Sequence, residues 1–182
     1  TGTVTGVQTC ALPIFCVTVA KAGSQHQARS GKVEALLAAE SDKGYGGGTT
    51  YTAFRERIER HRDELTTAVR GIRNSGKLVC GYGASTKGNV LLQYCNFSRE
   101  DIPVIAEVNQ DKFGCFTPGT RIPIASERSV KEMLPDVLLV LPWHFRDNIC
   151  QREKDYIATG GRLLFPLPEI EYQDAARRRA AA

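Results

Sequence analysis

Gly81-Tyr82-Gly83-Ala84-Ser85-Thr86-Lys87-Gly88-Asn89 is the stretch on which the fold turns. Leu78-Val79-Cys80-Gly81-Tyr82 runs into it and reads as a strand, and a helix is predicted after the turn over residues 89–95. Glycines allow a tight turn and close backbone approach to a ligand, and the first turn of a helix offers unpaired N–H groups with a partial positive charge. Lys87 adds a full charge, and Ser85 and Thr86 add donors. Such a junction suits a phosphate or diphosphate, with Gly83, Ser85, Thr86, Lys87, Gly88 and Asn89 as candidate contacts; the plain alternative is a tight turn that holds no ligand. Two standard fingerprints are not met. The third glycine of GxGxxG falls at Thr86, and the order GK[ST] is absent, which counts against a nicotinamide or ATP reading.

Working outward, strand and helix alternate from Lys77 onward. Strands are predicted over 103–106 and 122–124, with a helix over 126–134 capped by Ser126. Val137-Leu138-Leu139-Val140-Leu141 is the continuous apolar run of a strand buried on both faces. One helix is expected over 145–158, stopped by Gly160-Gly161, and a last strand over 162–165. The fold class is therefore α/β: a Rossmann-like open parallel sheet of about five strands flanked by helices. A long helix over 50–75, capped by Thr50, precedes it, and before that a Gly-rich linker over 42–50, a short helix over 33–40 and a strand over 16–20. Thr117-Pro118-Gly119-Thr120 reads as a type II turn.

Two further groups fall at the carboxyl edge of this sheet, where α/β folds bind ligands. Glu107 ends the second strand and Asn109 follows it; a carboxylate there accepts hydrogen bonds from sugar hydroxyls, or is simply a solvated loop acid. Trp143 and His144 follow the fourth strand, able to stack on a flat ligand and to exchange a proton, or else closing the core.

Length and composition bound the rest. The chain has 182 residues, one domain with appendages, and 42% apolar and 24% charged residues exclude wholesale disorder. Of the net charge of +4, Arg177, Arg178 and Arg179 supply three, so the body carries no basic stripe and nucleic acid is not expected as a partner. Six scattered cysteines without a CxxC pair, beside three histidines, give no zinc-site spacing and read as reduced thiols of a cytoplasmic protein. No apolar run approaches the roughly 20 residues of a membrane span.

The motifs GYGASTKGNVLLQYC (81–95), EVNQDKFG (107–114), TPGTRIPI (117–124), VLPWHFRDNI (140–149) and GGRLLFPLPEIE (160–171) together resemble the C-terminal domain of S-adenosylmethionine (SAM)-dependent sugar C-methyltransferases. That resemblance implies a three-part enzyme: an N-terminal zinc-binding motif, a middle SAM-binding domain, and this second Rossmann-like domain holding a nucleotide-diphosphate sugar. The expected substrate is a nucleotide-linked keto-deoxysugar, deprotonated beside its keto group and methylated at carbon. Residues 15–48 then belong to the end of the SAM domain and its linker, residues 49–172 form the C-terminal domain, and 173–182 a disordered tail. Residues 4–14 resemble the in-frame translation of a sequencing-library adapter, so residues 1–14 are read as an artefact, and a fragment is predicted whose SAM, zinc and catalytic residues lie upstream and which is inactive alone. Two other classes stay open at this point: an NAD(P)-dependent Rossmann oxidoreductase, and a non-catalytic interaction domain docking through the long helix.

Overall fold

A computed structural model describes residues 19–26 and 30–176. The adapter-like segment, most of the strand expected over 16–20 and the tail beyond 176 lie outside the described residues. The chain divides into two compact units, one ending at Thr50 and one beginning at Tyr51.

In the first unit, α1 (Ser30–Asp42) presents Val33, Leu36 and Leu37 on its surface, all exposed. It ends in a Schellman motif: Gly44 adopts φ +68°, its amide donates to Ser41 O at 2.8 Å, and the Tyr45 amide donates to Glu40 O at 3.0 Å. The Gly-rich segment is thereby tied down. The next helix, α2 (Gly48–Asn74), starts two residues earlier than expected. Thr50 is consequently inside that helix, and its hydroxyl donates to Gly44 O at 3.0 Å instead of capping an amide.

In the second unit the C-terminal half of α2 is buried through Leu65 and Val69, each worth about 2 kcal/mol, and is pinned where Arg70 Nε donates to Asp101 Oδ1 at 2.9 Å. Five parallel strands follow: β1 (Val79–Tyr82), β2 (Ile105–Glu107), β3 (Ile124–Ser126), β4 (Val137–Val140) and β5 (Arg162–Phe165). A sixth strand, β6 (Glu171–Gln173), was not expected; it pairs antiparallel with β5, so the sheet runs one residue into the predicted tail. The order is β3-β2-β1-β4-β5-β6. From β1 the chain first builds outward to β2 and β3, then returns to lay β4 on the other side, which makes the gap between β1 and β4 the topological switch point.

Strand side chains alternate between two cores. Leu139, Leu141 and Leu164 face α2 and α3 (Thr86–Tyr94), whereas Leu138, Val140 and Phe165 face α4 (Glu127–Glu132), α5 (Arg146–Arg152) and α6 (Lys154–Ala158). The single helix expected over 145–158 is two, interrupted at Glu153 (φ −93°, ψ 16°). Ser126 caps α4 as predicted, accepting from Ser129 N at 3.1 Å. The turn at Pro118-Gly119 has the positive φ a type II turn demands at Gly119, but closes one residue wider, from Arg121 N to Thr117 O at 2.9 Å. Among the described residues no helix is long and apolar enough to cross a membrane.

Gly88 lets α3 lie hard against β4. A Cβ there would stand 2.6 Å from Leu141 Cβ and 2.9 Å from Ser85 Oγ. Gly88→Ala gains nearly 1 kcal/mol of helix propensity but forces α3 outward at a cost of about 2–3 kcal/mol, so a net loss of roughly 1–2 kcal/mol is expected. A urea midpoint equal to that of the unaltered chain would show that the helix relaxes freely.

Candidate ligand site at the carboxyl edge

The Gly-rich turn is built almost entirely from its own hydrogen bonds. Gly83 (φ +80°) donates to Ala106 O at 2.7 Å, Ala84 to Glu107 Oε2 at 2.9 Å and Ser85 to Gly83 O at 2.9 Å. Ser85 then caps α3, its Oγ accepting from Gly88 N at 3.0 Å and its carbonyl from Asn89 N at 3.0 Å. Only Thr86 and Lys87 among these amides have no protein acceptor within the described residues. The expectation of a row of free amides converging on a diphosphate is therefore corrected. A nine-residue helix capped by serine keeps most of its donors for itself.

Glu107 is also placed differently from its expected role as a sugar contact. Its side chain is 8% exposed, and both oxygens are engaged: Oε1 accepts from Val108 N (2.8 Å) and Asn109 N (3.0 Å), Oε2 from Ala84 N and from Lys112 Nζ (3.2 Å). Lys112 Nζ in turn donates to Ala84 O at 2.9 Å. The ion pair thus grips Ala84 by its N–H and its C=O and fixes the turn after β1. Burial pushes the Glu107 carboxyl up, but the Asn109 and Val108 amides and the Lys112 ammonium outweigh it and hold the group below the ordinary 4.5. Asn109 likewise works locally, its Oδ1 accepting from Asp111 N at 3.0 Å to cap the short turn Gln110–Lys112.

Five of the ten predicted residues line one or other of two depressions on either side of the α3 N-terminus. A crevice of about 370 Å³ lies over the carboxyl ends of β1 and β2 and contains Gly83, Ser85 and Glu107. Lys87 and Trp143 instead line a groove of about 470 Å³ between α2 and α3. Thr86, Gly88, Asn89, Asn109 and His144 line neither, and Asn89 Oδ1 is buried without a hydrogen-bond partner. His144 is exposed, its ring 4.3 Å from that of Phe145 and edge-on to Trp143 at 6.0 Å; partial burial and the Lys87 charge lower its pKa. A third hollow, about 710 Å³, runs along the outer face of α2 between Glu56 and Ala68 and has no opposing wall from another element.

Sequence reasoning missed the far wall of the crevice, formed by Glu127, Asn148 and Arg152. Behind it sits an ionic cluster centred on Glu153, whose side chain is fully buried. Tyr82 Oη donates to Glu153 Oε1 at 2.6 Å, Lys131 Nζ lies 2.7 Å from Oε2, and Arg152 Nε lies 3.4 Å from Oε1. Glu127 closes the cluster, 2.7 Å from Lys131 Nζ and 2.8 Å from Arg152 Nη2, which also touches the Tyr82 hydroxyl. Burial raises the Glu153 carboxyl, yet Lys131, Tyr82 and Arg152 prevail and keep it ionised below its ordinary range. Burial, then Glu153, raise the Tyr82 phenol, which stays a neutral donor. Only the Glu127–Lys131 pair, four apart on one helix, had a signal in the sequence.

Charge follows from this. In the crevice Lys112 is matched by Glu107 and Arg152 by Glu127, leaving a near-neutral, hydrogen-bonding pocket suited to a polyhydroxyl ligand. Ribose recognition by a carboxylate at the tip of β2 needs free acceptor oxygens, and both oxygens of Glu107 are engaged, so NAD does not fit that mode here. Among the described residues no cluster of His, Cys, Asp or Glu is placed to hold a metal ion.

The open α/β sheet carries a crevice beside its switch point, and the sequence says to which family the domain belongs. Residues 14–168 match the family described as "C-methyltransferase C-terminal domain", and the chain belongs to that family. It is 37% identical over 153 residues to the C-methyltransferase NovU of Streptomyces niveus, a match covering 84% of this chain and 36% of that protein. The chain thus spans about a third of the length of the curated relative it matches.

Proposed function

We propose that this domain holds the nucleotide-diphosphate sugar on which a cytoplasmic, SAM-dependent C-methyltransferase acts, with the sugar in the crevice over β1, β2 and β4. The observation that carries this reading is the charge-balanced pocket beside the switch point: Ser85, Asn148 and the exposed cations of two ion pairs, Lys112 and Arg152, offer hydrogen bonds to hydroxyls in a lining without net charge. The methyl donor supplies an electrophilic methyl group in such chemistry. Its binding is assigned to the part of the relative's length that this chain does not span, and so is the base that removes the proton beside the keto group. This chain supplies grip and orientation, which raise the effective concentration of the reacting carbon.

Thermal unfolding of the 182-residue chain tests the reading. UDP-glucose or dTDP-glucose at a hundredfold excess over Kd is expected to stabilise it by about 2.7 kcal/mol, with no shift from NAD or SAM. No response to any sugar nucleotide, or an equal response to NAD, overturns the assignment.

A further inference from the structure

The groove between α2 and α3 has a different character from the crevice. Its walls carry aromatic and aliphatic side chains from three directions: Phe54 and Ile58 on α2, Val90 and Tyr94 on α3, and Trp143 beyond β4. Phe54, Val90 and Tyr94 are 49%, 66% and 43% exposed, so a large apolar surface stands open inside a concave wall. Both charged residues lining it, Arg55 and Lys87, are cations, and no acid lines it. Lys87 has no carboxylate within ion-pair distance among the described residues, and Arg55 has only Glu59, at 4.0 Å on its own helix. Two further guanidiniums lie over rings of the groove, that of Arg57 over Phe54 at 5.3 Å and that of Arg62, paired with Asp63 at 2.8 Å, over Tyr94 at 5.5 Å. Flat apolar walls beside the unpaired charge of Lys87 complement an aromatic ring bearing an anionic group.

Groove and crevice meet across a narrow ridge. Ser85 faces the crevice and Lys87, two residues on, faces the groove; Pro142 faces the crevice and Trp143, the next residue, faces the groove. We propose that the substrate straddles this ridge, its nucleobase against Trp143 and Tyr94, its diphosphate on Lys87 and Arg55, and its sugar in the crevice. The inference rests on the reading of the domain as a sugar-nucleotide holder and adds where each part lies. It also accounts for Ser85 and Lys87 falling on opposite sides of the ridge: a neutral pocket for hydroxyls and a cationic aromatic one for the nucleotide.

Trp143 is the chain's single tryptophan, so its fluorescence reports on this groove alone. UDP by itself, titrated with excitation at the red edge of the tryptophan band where the nucleotide does not absorb, is expected to change Trp143 emission with saturation. Glucose 1-phosphate at the same concentrations is expected not to. Lys87→Met, at a half-buried surface position, is expected to raise the Kd for UDP about tenfold or more while the folded fraction by circular dichroism stays unchanged. Should UDP-glucose raise the melting temperature while Trp143 emission stays constant and Lys87→Met binds as before, the placement fails and the sugar-nucleotide reading survives. An absence of any thermal or fluorescence response to UDP and UDP-glucose removes both. A Trp143 response to glucose 1-phosphate equal to that for UDP overturns the placement as well.

Discussion

Glu107→Ala is expected to lower stability by about 3 kcal/mol and to abolish sugar-nucleotide binding. Removing the carboxylate leaves the Ala84, Val108 and Asn109 amides without their acceptor in a site where the side chain is 8% exposed, at about 1 kcal/mol or more each. Lys112, 42% exposed, regains water and adds less. The loss is concentrated at the turn after β1, because the pair holds Ala84 from both sides. Glu107→Gln retains one acceptor oxygen and is expected to lose roughly half as much. The sign of the pH dependence follows. The folded-state pKa is depressed, so the stabilisation is complete above the ordinary value of 4.5 and is lost as pH falls through the lower folded value. The unaltered chain therefore weakens on acidification below about pH 5, and Glu107→Gln shows a shallower decline. Equal urea midpoints for the two at neutral pH would show that the clamp contributes nothing.

Glu153→Ala carries the second large effect, about 2–3 kcal/mol, or a fall in Tm on the order of 10 °C. Its fully buried carboxylate is the shared partner of Tyr82, Lys131 and Arg152, which come from β1, α4 and the end of α5. Removal strips the 2%-exposed Tyr82 of its acceptor and leaves Glu127 as the one carboxylate still shared by Lys131 and Arg152. Those cations are 35% and 49% exposed, so hydration recovers part of the cost and the figure lies below the 3–5 kcal/mol of a wholly buried pair. The Arg128–Glu132 pair, 89% and 63% exposed, is the internal control: Arg128→Ala is expected to change stability by less than about 0.5 kcal/mol. A Glu153→Ala midpoint within the same margin would mean that the cluster is held by packing and not by its charges. Glu153 is depressed in the folded state like Glu107, and its contribution fades in the same acidic direction.

Much of the fold was legible because its signals are local. The Val137 to Leu141 run buries every residue, as a strand covered on both faces must, and Ser126 caps the helix it precedes. The misses have physical causes that no local pattern carries. β6 is three half-buried residues at a sheet edge, with little apolar periodicity to announce it. The helix expected over 145–158 is interrupted at Glu153, whose carboxylate accepts from Tyr82 Oη, 71 positions away. Thr50 looked like a cap because threonine precedes an amphipathic run; Gly44 already ends the previous helix, and its carbonyl takes the hydroxyl instead.

The site divides along the same line. That a glycine turn opens a helix at the carboxyl edge, with an acid at the tip of the next strand and a Trp-His pair after β4, was set by residue type and spacing alone. Which partner each polar group meets was decided only when β1, β2 and β4 came to lie side by side. A hydrogen bond acts over about 3 Å, and Glu107 reaches Ala84 across 23 positions only because their strands are neighbours. Adjacency in the sheet turned an expected ligand contact into a clamp, and helix packing sent Lys87 and Trp143 to the far side of the ridge.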